Sequence, residues 1–163
     1  MVLRFRPVEV KKDVSSKIRH WCSRAERSPA QVRRKLHQWG EPALADRLIG
    51  ELLEEGYLDV PRFAEAYALD HVRIKGWGPR KVQAALRLEH GLEDAEINRA
   101  LSAVQSEDIA EAARRAVRKR KLGRTDEEPA KVVGALLQRG FDVDVARKAV
   151  AEEAERTKFD APW

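Results

Sequence analysis

Apolar residues recur every three or four positions along most of this 163-residue chain, and no stretch shows sustained alternation with a period of two. That spacing lines apolar side chains along one helix face, so it predicts short amphipathic helices punctuated by Gly and Pro. Five Ile and two Thr stand against 23 Ala, a balance that favours helix over strand. The chain is predicted to be all-α.

A period of fifty residues organises these helices. Pro29, Pro79 and Pro129 are each followed at +3 by Val32, Val82 and Val132, and at +7 by Leu36, Leu86 and Leu136. Gly40, Gly91 and Gly140 follow. Proline at the first helical position loses nothing, because its missing N–H would be unpaired there anyway. Val and Leu at +3 and +7 share one face, and Gly supplies the left-handed residue that ends a helix. Ser28 and Gln31 add a capping box around Pro29.

Extending outward from these anchors predicts three helices per repeat. The first repeat has helices at 15–26, 29–39 and 42–55, and the second at 60–74, 79–90 and 95–104. The third has helices at 107–121, 129–139 and 143–156. Asp59 and Asp94 are the expected N-caps. The expected layout is an N-terminal arm (1–13), repeats at 14–57, 58–105 and 106–157, and a C-terminal tail (158–163). Three short helices bury only a thin core alone, so the repeats are expected to stack into an elongated, curved, α-solenoid-like array.

Charge sharpens the picture. Of the residues 43% are hydrophobic and 36% charged, and the net charge is +5. That net value conceals +8 over residues 1–40 and −3 over the remainder. Such a balance suits an acidic partner, nucleic acid first among them. No apolar run approaches the roughly 20 residues of a membrane span, so no membrane role is expected. Met1–Lys12 lacks the apolar core of a signal peptide, and the single Cys22 precludes an intramolecular disulfide. A cytoplasmic setting is expected.

Three basic groups are candidate contacts for nucleic acid or another acidic partner. Arg27, Arg33, Arg34 and Lys35 belong to the first repeat, and Arg73, Lys75, Arg80 and Lys81 to the second. In the third, Arg114, Arg115, Arg118 and Lys121 belong to a run that reaches Arg124. Arg80 and Lys81 fall just inside a helix start, where cations oppose the macrodipole by about 0.3–1 kcal/mol each. Either that cost is screened by solvent, or the helix start meets phosphate or carboxylate groups. In the third-repeat run, Ala112, Ala113, Ala116 and Val117 form the packing side, so Arg114, Arg115, Arg118 and Lys121 are expected outside. Trp39 and Trp77, near the first two patches, either fill the edge of a repeat interface or stack on a base.

A search for catalytic chemistry finds none. His20, His37, His71 and His90 are scattered without zinc-ligand spacing. His71 shares a helical face with Phe63, Tyr67 and Ile74, which suits a hydrogen-bonded, partly buried imidazole. No metal, cofactor or enzymatic activity is expected.

Certain motifs carry a resemblance. Gly56-Tyr57-Leu58-Asp59, followed by Arg62-Phe63-Ala64 and Tyr67, resembles the RecX family of regulators of the RecA recombinase. Arg27 to Leu36, Lys75-Gly76-Trp77-Gly78-Pro79-Arg80-Lys81-Val82 and Arg139-Gly140-Phe141 are similar to further family stretches. The resemblance implies tandem three-helix repeats with structural roles for Gly56, Tyr57, Leu58, Asp59, Phe63, Tyr67, Gly76, Gly78 and Pro79. It also implies a non-enzymatic protein that binds the RecA–DNA filament and restrains its ATP hydrolysis, strand exchange and co-protease activity. Single- or double-stranded DNA is a further expected contact, and the expected state is a monomer. The alternative is a basic helical module that binds DNA without RecA.

Overall fold

The computed structural model describes residues 7–121 and 127–159, with side chains from Val14 to Arg120 and from Glu127 to Phe159. Among the described residues it contains nine α-helices, one 3-10 turn and no strand. The helices are α1 (Pro7–Ser23), α2 (Pro29–Gln38), α3 (Ala45–Glu54), α4 (Val60–Arg73) and α5 (Pro79–Leu88), followed by α6 (Asp94–Ser102), α7 (Ser106–Lys121), α8 (Pro129–Gln138) and α9 (Val143–Phe159). The chain divides into two compact units, Met1–Phe63 and Ala64–Trp163, with the change falling inside α4.

The fifty-residue pattern translates directly into geometry. Helices α2, α5 and α8 each run ten residues from their proline. Val32, Val82, Val132, Leu36, Leu86 and Leu136 are all buried. Each such aliphatic side chain contributes about 1.5–3 kcal/mol on leaving water. Gly40, Gly91 and Gly140 all have positive φ, the conformation the helix ends require.

Some boundaries differ from the sequence pattern. Helix α1 begins at Pro7, well before 15, and a 3-10 turn at Pro42–Leu44 precedes α3. Asp59 does cap α4, its Oδ1 accepting from the Arg62 N–H (2.9 Å). Asp94 is not the cap of α6. Glu93 holds that position and its N–H donates to Glu96 Oε2 (2.8 Å), while Asp94, one residue inside, pairs with Arg87.

In the first unit, Ile18, Leu36, Leu48, Leu52 and Leu58 centre one core, with Trp21, Trp39 and Tyr57 packed at its margin. Arg19 ties α1 to α3, donating through Nε and Nη2 to Glu55 (2.7 and 2.6 Å) and through Nη2 to Glu51 (3.0 Å). The predicted capping box forms at α2. Gln31 N–H donates to Ser28 Oγ (3.2 Å), and Ser28 N–H donates to Gln31 Oε1 (2.9 Å).

In the second unit, the position matching Ser28 is Gly78, which has no side chain to cap α5. The cap comes from another helix. Gly78 N–H donates to Arg139 O (2.8 Å) and Arg80 N–H to Gly140 O (3.1 Å), so the carboxyl end of α8 abuts the amino end of α5. The donors left open at one helix start and the acceptors left open at the other helix end satisfy each other. The approach needs two glycines. A Cβ on Gly78 would overlap the Gly140 carbonyl and the Phe141 nitrogen, and a Cβ on Gly140 would overlap the Lys81 backbone. Gly140 also has φ +90°.

Gly78→Ala or Gly140→Ala should therefore lower stability by about 2–4 kcal/mol in urea unfolding. Gly134 lies inside α8 with nothing near its would-be Cβ, so Gly134→Ala should stabilise by about 0.5–1 kcal/mol. Equal effects at the three sites would refute the junction.

Candidate partner-binding surface

Three arginines of the basic run on α7, Arg114, Arg118 and Arg120, are engaged in ion pairs within the chain. Packing Ala112, Ala113 and Val117 into the core draws the flanking guanidiniums along α9. Arg114 pairs with Glu107 (2.5 Å), Glu111 (2.9 Å) and Glu152 (3.3 Å). Arg118 pairs with Glu111 (2.5 Å) and with the buried Glu153 (2.6 Å), which Arg156 also reaches (3.1 Å). The expected outward Arg114 and Arg118 are thus replaced by a structural ion network, because α9 brings carboxylates across from distant sequence. Arg115 is exposed and donates to the Arg73 carbonyl, while Arg73 pairs with Asp108 (2.8 Å). The side chain of Lys121, and Arg124 entirely, lie outside the described residues.

The start of α5 is likewise not an open anion site, since the carbonyls of α8 occupy its N–H groups. Arg80 does meet a carboxylate, that of Asp142 (Nε–Oδ1 2.7 Å), within its own chain. The macrodipole cost expected for Arg80 and Lys81 is offset here, because the negative end of α8 lies against the same turn.

Around this turn the second unit gathers a polar-aromatic cluster. Tyr67 stacks on His71 (centroids 3.7 Å apart) and meets His90 edge-on (5.0 Å), and Trp77 lies 4.6 Å from His71. The His71 Nδ1–H donates to the Tyr67 carbonyl (2.7 Å), which leaves Nε2 to accept from Lys75 Nζ (3.1 Å). That arrangement needs a neutral imidazole. Burial lowers the His71 pKa; the Tyr67 hydrogen bond raises it by less, and the Lys75 charge lowers it further. Ile74, expected on the same face, falls past the end of α4 and is 76% exposed.

Half-buried Trp77 has Lys81 Nζ over its ring at 4.4 Å and Lys75 Nζ at 5.7 Å. The first unit repeats the device. Arg27 lies 4.2 Å over Trp21, and Lys35 lies 5.7 Å from Trp21 and 5.6 Å from Trp39. The indole faces are thus occupied by the protein's own cations, each such contact contributing about 0.5–1 kcal/mol at an exposed site. Arg33 pairs with Asp46 (2.7 Å), and Arg34 is exposed. Trp21 was not legible as part of a patch, since nothing in the spacing of α1 signals that Arg27 folds back over it.

The motif glycines and aromatics play structural parts. Gly56 and Gly76 have positive φ, Leu58 and Phe63 are buried, and Pro79 opens α5. Among the described residues no three His, Cys, Asp or Glu side chains gather to hold a metal, and no helix is long and apolar enough to cross a membrane.

The sequence family model described as "RecX, second three-helix domain" matches residues 61–101, the segment that builds the Trp77 cluster. The chain is 33% identical over 145 residues to the regulatory protein RecX of Halorhodospira halophila, covering 84% of this chain and 88% of that one. It belongs to the RecX family. Another RecX relative, from Xanthomonas axonopodis pv. citri, is 35% identical over 141 residues, with 84% of this chain and 81% of that protein covered. Two RecX crystal structures share the fold. One, titled regulatory protein RecX, has a TM-score of 0.70 at 22% identity over 82% of this chain and 68% of that one. The other, from Lactobacillus salivarius, has a TM-score of 0.67 at 19% identity over 88% of this chain and 98% of that one. The chain is thus an all-helical repeat protein of a family of regulators.

The cluster makes a pH prediction. A folded-state pKa held below the unfolded value means the unfolded chain takes up the proton first, so acid costs stability. His71 should titrate below about 6.5, and thermal stability should begin to fall as pH drops through that value. Glu111 adds a second loss. Burial raises its pKa, but hydrogen bonds from Arg114 and Arg118 outweigh that and hold it below the usual carboxylate range. Its contribution is present above about pH 4–5 and disappears as pH falls through its folded value. NMR titration of the His71 ring checks the first claim, and a midpoint above 6.5 would contradict it.

Proposed function

We propose that this protein binds the filament of RecA on DNA and restrains its ATP hydrolysis, strand exchange and co-protease activity. Membership of the RecX family across 84% of the chain carries the reading. The geometry supports a binding role, because cations gather around half-buried indole rings at the surface. Lys75 and Lys81 flank Trp77 in the second unit, and Arg27 and Lys35 flank Trp21 in the first, with Arg33 and Arg34 beside them. Arg114 and Arg118 are spent on internal ion pairs, so the second-unit contacts centre on the start of α5.

Binding of this kind regulates without chemistry. A protein that contacts one conformational state of a filament better than another shifts the equilibrium by that difference in affinity. Several modest contacts carried on one chain reinforce each other through effective concentration. Touching neighbouring protomers would oppose the movements that accompany nucleotide turnover and strand exchange. The proposed setting is the cytoplasm, and no cofactor is required.

Lys75→Glu with Lys81→Glu should weaken inhibition of the single-stranded-DNA-dependent ATPase of RecA at least about tenfold, with helicity unchanged. Both side chains are exposed, so the fold should persist. A titration repeated over a salt series separates the readings. Undiminished inhibition by the double variant would refute the proposed surface. Tight binding to bare DNA that vanishes at moderate salt, without any effect on RecA, would favour the DNA-only alternative.

A further inference from the structure

A cleft of about 220 Å³ opens in the second unit between α7 and the end of α8. Ala116, Ala135 and Leu136 form its apolar floor, and Lys119, Arg120 and Arg139 supply its polar lining. Among the described residues no acidic side chain lines it. Arg120 is already neutralised, donating through Nε and Nη2 to the two oxygens of Glu127 (2.5 Å each). Lys119 is exposed and has no ion-pair partner among the described residues. Among the described residues the Arg139 guanidinium makes only a long hydrogen bond to the Gly76 carbonyl (3.4 Å). Two uncompensated positive charges therefore border one small cleft.

We propose that this cleft binds a phosphomonoester, with Lys119 and Arg139 as its ligands. Three observations converge. The charge matches, since a phosphomonoester carries close to two negative charges at pH 7, whereas a phosphodiester carries one. The guanidinium offers a planar fork that donates to two phosphoryl oxygens, and the ammonium offers a point charge for the third. The site is also held in place, because α8 holds the backbone before Arg139 and the hydrogen bonds from Gly78 and Arg80 hold it after. The carbonyl end of α8 would otherwise repel an anion, but the Arg139 and Gly140 carbonyls are engaged by α5 N–H groups. The apolar floor suits the face of an attached sugar or base. This chemistry is offered both by a free nucleoside monophosphate and by the 5′-phosphorylated end of a nucleic-acid strand. The inference stands apart from the recombinase reading, and its test contains no recombinase.

The test is an NMR titration of the full chain, following the methyl resonances of Ala116, Ala135 and Leu136. The probes are inorganic phosphate, deoxyadenosine 5′-monophosphate and dimethyl phosphate, then a short single strand with and without a 5′-phosphate. The monophosphate should give saturable shifts in the millimolar range, and dimethyl phosphate should bind about tenfold more weakly. Lys119→Gln, on an exposed side chain, should weaken the monophosphate about tenfold, and adding Arg139→Gln should abolish the shifts. If the 5′-phosphorylated strand binds more tightly than both the free nucleotide and the unphosphorylated strand, the ligand is a strand end. If the free nucleotide equals the phosphorylated strand, it is the nucleotide. The proposal is overturned if no shift saturates by about 20 mM, if the diester binds as well as the monoester, or if Lys119→Gln changes nothing.

Discussion

Two backbone hydrogen bonds, from Gly78 to Arg139 and from Arg80 to Gly140, set much of what the second unit can present. A helix start without a capping side chain and a helix end with open carbonyls each carry an unmet demand. Joining them meets both, and places opposite ends of two helix dipoles against each other. The geometry admits no side chain at either glycine. From that junction the local surface follows. Trp77 precedes it, Lys81 follows it in the first turn of α5, Arg139 leads into it from α8, and Asp142 lies just beyond to receive Arg80.

The three repeats share one frame and differ in how the proline-led helix begins. At the residue before each proline stand Ser28, Gly78 and Glu128. Ser28 caps its helix with its own hydroxyl, and Gly78 borrows carbonyls from α8. The helices themselves are nearly superimposable in length and buried register. Divergence at this single position is therefore what lets the second and third repeats dock end to end, while the shared Val and Leu positions keep each helix seated.

What the sequence made legible follows from range. The fifty-residue period, the Ser28–Gln31 capping box and the buried Val and Leu positions are encoded by neighbours along one helix, where periodicity speaks directly. The hydrogen-bonded, buried setting of His71 was similarly readable from its helix face. The misread residues depend on partners far away in sequence. Arg114 and Arg118 look exposed on a helical projection, yet Glu152 and Glu153 cross from α9 to meet them. Arg80 looks like a cation misplaced at a helix start until α8 arrives from sixty residues downstream. Among the described residues the cations thus sort into some spent on ion pairs within the chain, some resting on indole rings, and others that remain available to a ligand.

The junction is tested most directly by amide hydrogen exchange at Gly78 and Arg80. Both N–H groups stand at a helix start, where amides without a partner exchange nearly as fast as in an unfolded chain. If α8 caps α5, both should be protected about as strongly as the amides of Val82 and Leu86 in the body of the helix. Exchange of Gly78 and Arg80 at rates close to those of an unstructured peptide, with Val82 and Leu86 still protected, would contradict the account.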